Sequence, residues 1–575
     1  MTSAVQGKTV FHKFWYFLRK YVLTLKRFDL CLQGSLLVII LLESNAMLLL
    51  RRDAGTGYIQ ARVEDWVIVG TAIIEYILGG VLAWSGRGRR NLALAGCLAV
   101  TAICGLLVLA FPYKEATPPT VELCDGSPIS AYTNPLSETK DDAKPYRITA
   151  LILTVVMSSL SMISVWAHGL TYLDDHEPHN GTYFYGILIS IRLSLGLSGP
   201  NWLRPGAVRD DWWVAHLALS LLTLIFAVQF TLFPKKMPDY KEIETTEDIR
   251  FIPSLVRVMK NKVFNIQVGA LACLNAGLFG FIYYDRAYVQ ARFHIESVYN
   301  DLRTSRAISD LFRALVVIFF VMIFRVRFSD RRRDGVKANT AARVGGVVAI
   351  FVAIFFSVIA GLQCPIDDIA DMNDGKWQQP QCSRDCGCDS TNYGFTPVCV
   401  LDTGTTYFSP CNAGCHGYED INGFLLFQNC TCGAERVVRG SCSLLSCRSI
   451  FSIYQLIYTV TVAVGAAAIL MQGMVILRAV PQWDKPIAIG VALAMVSVLA
   501  NVLGHFIYML ISHFTCAYLG KDGACLFHHP TLWWAAVASA ILAVCSAILS
   551  LISSRVEQSS GTGVTTLEEN ISMEE

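Results

Sequence analysis

Pro397-Val398-Cys399-Val400-Leu401-Asp402-Thr403-Gly404-Thr405-Thr406-Tyr407-Phe408-Ser409-Pro410-Cys411-Asn412-Ala413-Gly414-Cys415 lies at the centre of a region, Cys364 to Cys447, that holds eleven cysteines. Thiols at that density persist as a disulfide framework only in an oxidising compartment. Long apolar runs flank the region on both sides. The module is therefore expected outside the cytosol, on helices that must cross a bilayer to reach it.

Composition agrees. The 575-residue chain is 53% hydrophobic and 16% charged, with a mean hydropathy of +0.45. A soluble domain carries about a quarter charged residues, so the fold class expected is an all-α polytopic membrane protein. A net charge of +2 gives nucleic acid no footing. Of nineteen cysteines, Cys31, Cys97, Cys104, Cys273 and Cys545 fall in apolar runs and are expected as buried thiols. The other fourteen fall in loops that the topology below puts on one side.

Residues 11–27 place Phe11, Phe14, Trp15, Leu18 and Val22 on one helical face with basic residues around it, the pattern of an interfacial helix. The run from Leu30 to Leu50 is too long for a signal-peptide core and is expected as a retained span. Runs near the ~20 residues that a bilayer requires occur at 28–50, 64–85, 91–112, 147–172, 182–199 and 212–234, and again at 262–285, 304–325, 342–362, 449–478, 486–513 and 531–554. A polar linker, 235–261, separates the two sets, and 555–575 forms a tail. Twelve crossings put both termini on one side. Arg87, Arg89 and Arg90, Lys235 and Lys236, and Arg327, Arg331, Arg332, Arg333 and Lys337 share the face of the basic amino terminus. That face is the cytoplasmic one by the positive-inside rule. The acidic turn with Asp174, Asp175 and Glu177 is the exception. Gly86-Arg87-Gly88-Arg89-Arg90 and Asp330-Arg331-Arg332-Arg333 follow the second span of each half. A basic turn at matching places implies a duplicated six-helix unit, as in major facilitator transporters.

The quoted stretch resembles a Kazal-type domain, with Thr403 as an extra residue in the Asp-Gly turn. A Kazal-like loop (about 376–434, within the outer region 363–447) between transmembrane helices is similar to the organic anion transporting polypeptides. So are Gly169-Leu170-Thr171-Tyr172-Leu173-Asp174-Asp175 with Tyr185-Gly186-Ile187-Leu188, then Phe233-Pro234-Lys235-Lys236, Arg478-Ala479-Val480-Pro481, and Cys516 with Gly523-Ala524-Cys525-Leu526. The family's tryptophan-rich signature at span six is reduced to Asp211-Trp212-Trp213. Span eleven carries Asn501 and His505 where many members place an Arg. The resemblance implies a major facilitator fold and sodium-independent transport of amphipathic organic anions such as conjugated steroids. It also implies disulfides Cys382–Cys415, Cys388–Cys411 and Cys399–Cys432, with Cys430 and Cys432 close enough to exchange. Cys364, Cys386, Cys430, Cys442 and Cys447 then make further bridges, with one left over.

Charges inside spans are costly and line cavities or pair with one another. Glu75 in span two, Arg192 in span five and Arg313 in span eight are the candidates for a central cleft, with His168 in span four as a titratable neighbour. An Arg offers a permanently charged fork to carboxylate or sulfate. Against this stand bland readings: Glu75 paired structurally, Arg313 paired with Asp310 one turn earlier, and His168 merely packed. Glu43 fits either the cleft or the outer interface, and Asp285-Arg286 fits an interfacial pair. Asn429-Cys430-Thr431 is a sequon on the outer side, whereas those at Asn180 and Asn570 face the cytoplasm. Nucleophile triads, phosphate loops and zinc motifs are missing from the sequence, so neither an enzyme nor a cofactor is expected. The energy would come from exchange with an internal anion such as bicarbonate. The competing reading is a membrane receptor, or a surface protein that binds a protease through the Kazal-like loop.

Overall fold

The computed structural model describes residues 23–54, 58–112, 122–124, 143–195, 212–236, 250–295, 312, 315–320, 322–323, 337–364, 369–373, 376–388, 394–421, 424–433, 437–442, 444–519 and 525–574. Residues 11–22 of the interfacial segment expected at 11–27, Arg313 and the second basic turn at 330–333 lie outside the described residues, and residues 25–27 belong to the first spanning helix.

Apolar residues without a sharp polar face make helices that bury against one another on one side and meet lipid on the other. In the first half these are α1 (Leu25–Ala54), α2 (Tyr58–Ser85), α3 (Arg90–Val108), α4 (Lys144–Ser164), α5 (Gly181–Ser190) and α6 (Trp212–Leu232). A short amphipathic helix, α7 (Phe251–Lys260), leads into α8 (Lys262–Phe293). Then come α9 (Ala338–Gly361), α10 (Leu444–Arg478), α11 (Lys485–Val498) and α12 (Trp534–Glu574). Three helices change pitch: α4 runs through a π-helical stretch, Val165–Leu170, into Thr171–His176. The helix α5 continues as the π-helical Ile191–Leu195, and α11 passes through Leu499–Gly504 into His505–Phe514.

Among the described residues ten helices are long and apolar enough to cross a membrane. The fifth expected run is described over 181–195 and the eighth only in fragments. The first half packs α3 on α4 and α6, and α1 on α4 and α6; the second packs α9 and α8 on α12, and α9 on α10. The halves meet where α2 lies along α11 and where α5 meets α10.

The cysteine-rich region is a small β-domain that opens with an antiparallel pair, β1 (Met372–Asn373) and β2 (Lys376–Trp377). Its antiparallel sheet has the order β4-β3-β7-β6-β5, from β3 (Val398–Val400), β4 (Thr405–Tyr407), β5 (Cys415–Ile421), β6 (Phe424–Cys430) and β7 (Val437–Arg439). Thr403, the extra residue, sits in the loop Leu401–Gly404 between β3 and β4. Gly404 closes that loop at φ +64°, where a side chain would be strained, and its N–H donates to Val400 O at 2.9 Å.

The disulfides correct two expectations. Cys382 pairs with Cys432 rather than Cys415, and Cys399 pairs with Cys442 rather than Cys432. Cys388–Cys411 is formed. Cys415 instead joins Cys430, its cross-strand neighbour on β5 and β6. Register decides this: β3 pairs with β7, which brings the chain after β7 back beside Cys399. The cysteine left over, Cys386, bonds to Cys124 of the first half. Cys364–Cys447 and Cys516–Cys525 complete fourteen bonded cysteines; Cys31, Cys97, Cys104, Cys273 and Cys545 stay free, but of these only Cys104 is buried as expected and Cys545 is exposed, on the outer surface of its helix.

This cap is fixed to the second half in three ways. Cys364–Cys447 closes its base where α9 ends and α10 begins. Arg292, 3% exposed in the last turn of α8, donates to the Ala360, Leu362 and Pro530 carbonyls and to Gln363 Oε1. Ile369, Phe395 and Phe408 of the cap pack on Ala517, Tyr518 and Phe527 of the hairpin β8 (Cys516–Leu519) and β9 (Cys525–His528). The first half joins it too. Leu123 is buried in the cap's own core, and Cys124 N–H donates to Cys415 O at 2.8 Å.

The strap has a readable consequence. With a protease site inserted within residues 238–248, the cleaved chain should run at full size on a denaturing gel without reductant and as two pieces with it. Cys124→Ser should give two pieces without reductant. A cleaved wild-type chain that separates unreduced would contradict the Cys124–Cys386 link.

Two histidines at the cap junction add a pH dependence. Burial lowers His294, edge-on to Phe395 and Phe527, to about 4, and lowers His528, bonded to Ser512, to about 4. Both stay neutral when folded, whereas the unfolded chain binds protons below about 6.5. Their contribution is complete above pH ~6.5 and is lost as pH falls toward 4, up to about 3 kcal/mol for each. Melting in detergent should fall between pH 7.5 and 5.0, and the fall should shrink in His294→Gln/His528→Asn.

Candidate functional site

Between the halves lies a cavity of about 380 Å³, walled by α1, α2, α4 and α5 on one side and by α8, α10 and α11 on the other. Each of the three π-helical stretches contributes to its wall: Trp166 from the first, Arg192 and Leu193 from the second, Ala500 and Asn501 from the third. A π turn inserts an extra residue and re-aims the side chains around it, which is why such turns collect at functional sites. The apolar wall includes Trp166, 5.1 Å from Tyr185, with Phe279, Met162 and Ile163 nearby.

The cavity holds few charges among the described residues. Glu43 and Glu75 line it, which places Glu43 in the cleft. Glu75 is tied at both oxygens, accepting from Ser159 of its own half and from Ser497 of the other. Arg192 projects from the π stretch of α5 and is held differently. Its guanidinium carbon lies 5.6 Å from the Phe279 ring centroid, and it donates at 3.0 Å to Met162 Sδ, a weak acceptor. Among the described residues it forms no ion pair. Glu43 and Glu75 share the cavity without bonding to Arg192, so its donor fork is left for an anion.

His168 does not belong here. It is fully buried beside Gly86 with Nε2 3.3 Å from Leu82 O, away from the cavity wall. Asp285 accepts from Tyr454 OH at 2.6 Å.

Polar bridges between the halves lie at two ends, and the one at the cap end lines the cavity through Tyr283 and His505. At the cap end His505 Nε2 is 2.8 Å from Asp65 Oδ1, and Tyr283 OH donates to Asp65 at 3.1 Å and to Glu64 at 3.4 Å. Glu64 also pairs with Arg51. At the opposite end Asp174, with a 0% exposed side chain, accepts two bonds from Arg478, at 2.8 and 3.1 Å, and one from Lys485 at 2.6 Å. Asp175 accepts from Arg90 at 2.7 Å and lies 3.4 Å from Lys485. Gly181 packs directly on Asp174 and Arg478, where a side chain would collide with both. Arg257 grips Asp484 through two bonds of 2.9 Å. Sequence reasoning missed these partners, although the acidic turn that broke the positive-inside pattern was their signal.

A model of the Organic Anion Transporter Polypeptide (OATP) family matches residues 206–532, more than half of the chain. Over 545 residues the chain is 21% identical to solute carrier organic anion transporter family member 2B1 of Rattus norvegicus, covering 76% of this chain and 77% of that protein. It is 22% identical to member 74D of Drosophila melanogaster over 444 residues, 67% of this chain and 52% of that one. The chain thus spans between half and about three quarters of the length of these relatives. The crystal structure of the human organic anion transporter MFSD10 (TETRAN) is similar in fold at 11% identity, with a TM-score of 0.50 over 92% of this chain and 99% of that one. The likeness shows a major facilitator architecture.

Removing one partner of a buried ion pair costs roughly 3–5 kcal/mol, because the other charge is stranded. Asp174→Asn should therefore lower the melting temperature in detergent much more than Glu177→Gln, three residues away and outside the pair. Equal effects would contradict the role assigned to Asp174.

Proposed function

This chain belongs to the Organic Anion Transporter Polypeptide family, and on that premise we propose that it moves amphipathic organic anions across a membrane by alternating access between its two halves. The observation that carries the reading is Arg192: a guanidinium without a carboxylate partner among the described residues, in an apolar and aromatic cavity at the junction of the halves. The anionic group of a substrate seats on that fork. Aromatic and aliphatic walls take a steroid-like or peptide-like body.

Rocking about the cavity would break the bridges at one end while those at the other persist. The Asp174–Arg478–Lys485 knot closes one end and the Asp65–His505–Tyr283 cluster the other. Each is made of groups from both halves, as a gate requires. Glu75, bonded to serines of both halves, lies between them. The driving force is exchange with an internal anion such as bicarbonate, without sodium.

The disulfide-bonded cap faces the oxidising outer side, so both termini lie in the cytoplasm and the protein resides in the plasma membrane. Asn429 is exposed at the edge of β6 and is available for glycosylation there. Arg313 remains a candidate second cation for the cleft.

The test is uptake of labelled estrone sulfate by cells expressing the chain. Arg192→Ala should cut uptake efficiency by about 30-fold or more, the cost of leaving a desolvated anion unpaired, with surface amounts unchanged. Uptake no higher than in empty-vector cells would return the chain to the receptor reading.

A further inference from the structure

Two carboxylates share the cavity with Arg192, yet among the described residues neither is bonded to it. Glu75 is engaged instead by Ser159 and Ser497. What faces the guanidinium is the ring of Phe279, 5.6 Å from its central carbon and carried by α8 of the opposite half.

The difference between these partners is chemical. A carboxylate would fix the long Arg side chain but would also neutralise it and occupy its donor fork. An aromatic face attracts the cation through its quadrupole and holds the guanidinium in place. It accepts none of the in-plane N–H bonds, which stay available at the edge. Met162 Sδ takes one donor of the five that a guanidinium has.

We propose that Phe279 is a positioning residue for the anion seat: it holds the Arg192 guanidinium across the junction of the halves with its N–H edge open to substrate, and it does so only while the halves are closed around the cavity. This rests on the reading of Arg192 as the seat. It predicts that Phe279 governs affinity for the anionic group rather than turnover.

The experiment measures labelled estrone sulfate uptake against concentration, normalised to surface protein, in Phe279→Leu, Phe279→Met and Phe279→Tyr, each alone and combined with Arg192→Gln. Leu and Met remove the ring but keep the bulk; Tyr keeps the ring. In the single variants Leu and Met should raise KM between about twofold and thirtyfold, the range of a cation–π contact. Turnover should change less than twofold, and Tyr should restore the wild-type KM. In the Arg192→Gln background the same changes should leave KM where that substitution put it. If Leu, Met and Tyr all raise KM alike, Phe279 acts by packing alone, and the proposal fails. It fails too if none shifts KM, or if the shifts persist unchanged without Arg192. Wild-type uptake by Arg192→Gln itself would instead remove the seat, and with it the reading under Proposed function.

Discussion

A carboxylate taken out of water must be met by cations or lose its charge, and Asp174 meets two that come from the other half of the molecule. Its side chain is fully buried, with Arg478 clamped on both oxygens and Lys485 added at 2.6 Å. Lys485 also reaches Asp175, which Arg90 holds from behind. Such a cluster is stable only when all its members are present, since each stranded charge bears the full desolvation cost. That makes it well suited to a contact that is either wholly made or wholly broken. It also explains why an acidic turn tolerates a place among basic loops.

At the far end the constraint is covalent. The cap belongs to the second half through Cys364–Cys447, the Arg292 staple and the aromatic cluster around Phe395 and Phe527. The first half reaches the same cap through Leu123 and Cys124. The Cys124–Cys386 bond therefore ties the first half covalently to the cap, and the cavity sits between an ionic closure and this link.

Inside the cavity, local irregularity does what regular helices cannot. The π-helical stretches of α4, α5 and α11 turn Trp166, Arg192 and Asn501 toward one space. One cation, Arg192, is held by a ring face and a thioether, and neither cavity carboxylate is bonded to it. Glu75 is kept by hydroxyls from both halves.

Hydropathy by itself determined that this is a helical membrane protein, and cysteine density determined an oxidised cap, because burial and redox chemistry act on composition over long stretches. The set of free thiols was legible for the same reason: Cys31, Cys97, Cys104, Cys273 and Cys545 sit in apolar runs. Glu75 and Arg192 were legible as costly charges in spans, and both line the cavity. His168 could be read either way, because a lone histidine looks alike in a cleft and in a packed helix contact; it is not among the residues that line the cavity. Only the tertiary structure decided which cysteines meet, since strand register, not spacing, set Cys399 beside Cys442 and Cys382 beside Cys432. It alone brought Asp174 to Lys485 and Arg192 to Phe279, residues far apart along the chain whose contact depends on how the two halves face each other.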